Sequence, residues 1–86
     1  MPTFEMTGNV STKSEDRNIK YKKDFIQWAA RFGWHHVEMD YYPDYLIASK
    51  EGTIKHKKAK DWGIPIISYE EALDKMEGIE LKIQLL

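Results

Sequence analysis

Apolar residues recur along this chain with two periods, and the changes of period mark its elements. Phe25, Trp28, Ala29 and Phe32 fall at i, i+3, i+4 and i+7, which predicts one helix face from about Tyr21 to Phe32, stopped by Gly33. Ahead of it, Thr3 to Met6 is a short β-prone run halted by Gly8, and the polar stretch Asn9 to Asn18 reads as a long loop. His35 to Met39 predicts a second strand and the residues around Pro43 a turn. Tyr45 to Ser49 is a continuous apolar run of the kind found in strands buried on both faces, which points to a parallel sheet.

A second helix is predicted from an N-cap at Thr53 to Trp62, where Gly63 and Pro65 form a stop signal. Ile64 to Ile67 is another short buried strand. Ser68 and Glu71 form an S-x-x-E capping box that opens a third helix, with Tyr69, Ala72, Leu73 and Met76 on its inner face and Gly78 at its end. Beyond Gly78, Ile79, Leu81, Ile83 and Leu85 alternate with Glu80, Lys82 and Gln84, the period of a strand. The order β-α-β-β-α-β-α predicts an α/β domain in which a small, parallel four-stranded sheet is flanked by helices on both faces, with an extra C-terminal strand.

Composition narrows the classes. The 86 residues suffice for one hydrophobic core and one domain, and 42% hydrophobic with 31% charged residues is a folding balance rather than a disordered one. The absence of cysteine removes disulfides, thiolate metal sites and thiol nucleophiles, and makes an intracellular protein the simplest reading. No apolar run reaches membrane-spanning length, and "MPTFEMTG" lacks the layout of a secretion signal, so a cytoplasmic protein without a membrane partner is expected. A net charge of −1 speaks against bulk electrostatic coating of nucleic acid. The charges are nevertheless segregated: Lys20, Lys22, Lys23 and the lysines from Lys50 to Lys60 precede an acidic stretch holding Glu70, Glu71, Asp74, Glu77 and Glu80.

Several segments together resemble the BRCT domain of DNA repair and replication proteins, and most of all the form found in bacterial NAD-dependent DNA ligases. "FEMTGNVS" resembles the family's first strand and its Thr/Ser-Gly turn, "FIQWAARFGW" its first helix, and "DYLIAS" its third strand. "KHKKAKDWGIPIISYEEAL" is similar to the lysine-rich second helix, Gly-Ile-Pro strand and acidic third-helix start of the bacterial subgroup. Gly33-Trp34 stands where the family usually has Gly-Gly, and the segment after Gly78 has no counterpart in it.

The resemblance implies a recognition module rather than an enzyme. Many BRCT domains hold a phosphate with the Thr/Ser hydroxyl, the neighbouring glycine amide and a lysine of the second helix, which correspond here to Thr7, Gly8 and Lys55. The chemistry is sound by itself: a phosphate dianion suits a hydroxyl, an unhindered N–H, an ammonium and the positive end of a helix. Lys22, at the start of the first helix, and Lys57 and Lys58 on the second are further candidate DNA contacts. Lys57, Lys58 and Lys60 also have the plainer reading of a solvated helix face. Thr7 could simply close a turn with its hydroxyl, and Gly8 serves the backbone in either case.

Other chemistries find no constellation. Adjacent His35 and His36 point to opposite faces of a strand and His56 stands alone, so no metal is expected; Glu38, Asp40 and Asp44 do not follow calcium-loop spacing. There is no Gly-x-Ser-x-Gly elbow or Walker loop, no cofactor is implied, and Phe25, Trp28, Phe32 and Trp62 are read as packing residues. The expected function is a non-catalytic module that binds a DNA end or nick through its 5′-phosphate, in the cytoplasm, or in the nucleoid or nucleus for a repair protein. The alternatives are a module for a phosphopeptide or an unmodified repair or replication protein, or a homodimer joined through the C-terminal strand.

Overall fold

The computed structural model describes residues 1–11 and 17–85, and of residues 79–85 the backbone. Strand β1 (Thr3–Thr7) is followed by helix α1 (Lys22–Ala30), β2 (His35–His36), β3 (Tyr45–Ala48), α2 (Ile54–Trp62), β4 (Ile66–Ile67) and α3 (Tyr69–Leu85). The four strands form one all-parallel sheet, as the sequence predicted, and their order is β2-β1-β3-β4. Of the expected loop from Asn9 to Asn18, residues 12–16 lie outside the described residues.

Because β1-α1-β2 steps toward one edge of the sheet and β3-α2-β4 toward the other, crossovers of a single hand must place α1 and α2 on opposite faces. The core confirms it. Phe4, Met6, Ile47 and Ile67 of the strands pack with Phe25 and Ala29 of α1 and with Tyr69, Ala72, Leu73 and Met76 of α3. On the other face Leu46 packs with Met39, with Ala59 of α2 and with Ile64. Neighbours Leu46 and Ile47 thus serve different cores, which is why β3 reads as an unbroken apolar run. The Phe25 ring meets Phe4 and Tyr69 edge-on, with centroids 5.8 and 5.0 Å away.

Local signals fix the helix ends. Asp24 reaches back to accept from the Lys20 and Tyr21 amides at 3.1 and 2.9 Å, so α1 starts at Lys22. The Thr53 hydroxyl accepts from the His56 amide at 3.1 Å to open α2, and Gly63, at φ 70°, closes it in the left-handed conformation. Ser68 accepts from the Glu71 amide at 3.0 Å at the head of α3.

Two expectations are corrected. The second strand ends at His36, apart from one further bond from the Val37 amide to the Phe4 carbonyl, because the chain must turn back to begin β3. A one-turn 3-10 helix, Met39–Tyr41, makes that turn and buries Met39 against α2. The extra C-terminal strand is not formed either: α3 runs through Gly78 to Leu85. Met76, Ile79 and Ile83 also stand three and four apart, so this short alternation fits both periods. A mid-helix glycine costs only about 1 kcal/mol, which extension of an already nucleated helix by Glu, Leu, Lys and Gln overcomes. The strand edge through which a second copy was expected to pair is therefore a helix, and the actual edge strands β2 and β4 are two residues long each.

Candidate anion-binding site

In an open parallel sheet, ligands bind outside the carboxyl ends of the strands, where the chain leaves neighbouring strands in opposite directions. In the order β2-β1-β3-β4 that point lies between β1 and β3, whose last paired residues are Thr7 and Ala48. Thr7 is buried, and its hydroxyl donates to the Thr53 hydroxyl at 2.8 Å; Thr53 in turn caps α2. The end of β1 is thereby fastened to the start of α2.

Gly8 follows at φ 81°, and a Cβ built there would stand 2.4 Å from Ser49 Oγ and 3.1 Å from Lys50 Cβ. A side chain there would be strained by the backbone conformation and would have to displace Ser49 Oγ, so glycine is favoured on both conformational and steric grounds. Ser49 locks the turn from the β3 side, with its amide donating to the Thr7 carbonyl at 3.2 Å and its hydroxyl to the Asn9 carbonyl at 2.5 Å. Tyr69 of α3 donates its hydroxyl to the Gly8 carbonyl at 3.4 Å. Burial, with the charge of Glu5 adding to it, pushes the Tyr69 hydroxyl up to about 12, so it remains a donor.

Lys55 comes up from the first turn of α2 and donates its ammonium to the Met6 carbonyl at 3.0 Å, next to Thr7. Its Nζ lies 3.5 Å from Glu5 Oε2, while two-fifths of the side chain is exposed to solvent. Thr7, Gly8 and Lys55, singled out in the sequence, are thus gathered at the switch point. Lys22 is at the head of α1, where it lines a cavity of about 690 Å³ with Asn9, Val10, Lys20, Tyr21 and Lys23, directly along the chain from Gly8. Lys57 and Lys58 are exposed on α2, and Lys58 is 5.7 Å from the ring centroid of Trp62 at the far end of that helix. Trp62, read as a packing residue, is 39% exposed and packs against Tyr42.

The sequence reading passed over Glu5. Its carboxylate is almost wholly buried and accepts from the Met6 amide at 2.8 Å, lies 2.6 Å from His36 Nε2 and faces Lys55. Burial works to raise its pKa, but the Met6 amide, the bond and charge of His36 and the charge of Lys55 together bring it below the ordinary value. A signal for it existed. Thr3, Glu5 and Thr7 alternate with Phe4 and Met6, so one face of the central strand is polar throughout, and a polar face beneath a helix demands partners.

Among the described residues no group of three or more histidine and carboxylate side chains is placed to hold a metal ion, and no helix is long and apolar enough to cross a membrane. Comparison with protein-family models, with curated proteins and with solved structures finds no match to this chain.

Proposed function

We propose that this chain is a BRCT-like, non-catalytic recognition module that captures a terminal phosphate, with the phosphorylated end of a DNA strand or nick as its ligand. The observation that carries the reading is the convergence of Thr7, Gly8 and Lys55 at the switch point between β1 and β3. Residues nearly fifty positions apart meet there, beside the N-terminus of α2, where helix dipole and ammonium favour the same charge. Lys55 has three donors, of which the Met6 carbonyl takes one, and its exposed part faces solvent. The lysine-lined cavity formed with Asn9 and Val10 offers a path for the backbone of the strand behind the phosphate.

The test is an amide NMR titration with a short duplex carrying a recessed 5′-phosphate, against the same duplex ending in a hydroxyl. Shifts at Thr7, Gly8 and the Lys55 turn with the phosphate alone, abolished by Lys55→Ala, are the expected result. Equal responses to both duplexes, or none, would overturn the reading. Shifts at the same residues with a phosphopeptide and not with DNA would transfer the site to a protein partner.

A further inference from the structure

The buried carboxylate beneath the site has two basic neighbours. Glu5 Oε1 is 2.6 Å from His36 Nε2, and Glu5 Oε2 is 3.5 Å from Lys55 Nζ. We propose that Glu5 is a counter-ion divided between Lys55 and His36, so that protonation of His36 frees Lys55 for a bound anion and makes phosphate capture proton-coupled. The inference rests on the phosphate-site reading and adds its regulation.

With His36 neutral, Glu5 and Lys55 cancel and the trio carries no net charge. An approaching anion then competes with Glu5 for the ammonium. Histidine is the side chain whose charge changes between about pH 5 and 8. When His36 gains its proton, Glu5 is neutralised from the Oε1 side and the trio carries one positive charge. Lys55 keeps the Met6 carbonyl and shares Glu5 with a charged imidazole, so its attraction to the carboxylate weakens and its remaining donors are open to an anion.

Among the described residues, Glu5 is the carboxylate within hydrogen-bonding distance of the imidazole. From β1 it meets Glu5 and the Phe4 ring, 5.7 Å away between centroids; Lys55 of α2 lies beyond Glu5. After β2, Glu38 and Tyr41 line with His36 and Val37 a solvent-open cavity of about 290 Å³, which gives protons a route to the ring. From α3, Tyr69 feels the charge of Glu5 without bonding to it, and its hydroxyl, pushed up to about 12 mainly by burial, stays protonated. Helix α1 turns Phe25 and Ala29 inward.

Linkage makes the coupling reciprocal: an anion that binds better when His36 is charged must raise the proton affinity of His36. Sulfate is the probe, because it remains a dianion across this pH range whereas a phosphate monoester changes charge near pH 6. Wild-type affinity for sulfate, read from Thr7 and Gly8 amide shifts, is expected to rise about threefold to fivefold from pH 7.5 to 5.5, the scale of one partly exposed charge pair. His36→Gln should hold the weaker affinity at both pH values, and Glu5→Gln the stronger. In the wild type, sulfate should move the His36 ring titration to higher pH.

If sulfate binds at Thr7 and Gly8 but His36→Gln keeps the full pH response, the coupling is wrong and the phosphate site survives. If sulfate shifts neither residue at either pH, both fall. His36 is partly exposed, so the His36→Gln variant keeps the test open should Glu5→Gln fail to fold.

Discussion

At the scale of single residues, the site is built on two side chains with no freedom to vary, one because it is absent and one because it is buried. Gly8 adopts a left-handed conformation with Ser49 Oγ 2.4 Å from where a Cβ would lie. Gly8→Ala is expected to lower stability by about 1–3 kcal/mol, the combined scale of left-handed strain and local displacement, seen as a reduced urea midpoint with an unchanged slope. Glu5 makes an acid-sensitive contribution. Its folded pKa is depressed, so the stabilisation is fully present above the ordinary carboxyl value of about 4.3 and is lost as pH falls through the folded value. Denaturation measured near neutrality and again below about pH 4 should show a smaller acid loss in Glu5→Gln than in the wild type. Equal losses would mean that other carboxylates, such as Glu77 paired with Arg17, dominate acid unfolding.

At the scale of elements, the termini of helices were easier to anticipate than the periods between them. Thr53, Gly63 and Ser68 act at the positions their residue types imply, because capping is a contact between near neighbours. The segment after Gly78 is a helix where its period suggests a strand, because seven residues alternating Ile-Glu-Leu-Lys-Ile-Gln-Leu satisfy both periods. Helix continuity decides it, and the point is testable. Gly78 has open space around it, so Gly78→Ala should stabilise the protein by about 0.5–1 kcal/mol and raise helical circular dichroism. A destabilised variant would place Gly78 in a turn instead.

For the whole molecule, stability depends on two cores divided by one sheet. The larger, between the sheet and the α1–α3 pair, centres on Phe25, fully buried between Phe4 and Tyr69. Phe25→Ala should cost about 3–5 kcal/mol, a large fraction of what a domain of this size possesses, and leave a marginal fold in thermal denaturation. A loss below about 1 kcal/mol would show that the α1–α3 layer is not the principal core. The smaller core under α2 is completed by polar groups: Glu5, Thr7 and Lys55 occupy what would otherwise be its apolar margin. The same helix therefore closes a core with Ala59 and builds the candidate site with its first turn.

The sequence by itself determined the elements whose signals are local: the α1 face, the caps of α2 and α3, the buried strand β3 and, through them, a parallel α/β sheet. Thr7, Gly8 and Lys55 were singled out by the family resemblance, not by spacing alone, and as positions in a motif rather than as neighbours. Tertiary structure alone decided what depends on contacts across the chain. It fixed the strand order that makes the ends of β1 and β3 the switch point of the sheet, the helical continuation past Gly78, and the burial of Glu5 between His36 and Lys55. A carboxylate in a short strand looks the same whether it faces water or an imidazole and an ammonium, since its ionisation and role are set by groups 31 and 50 positions away.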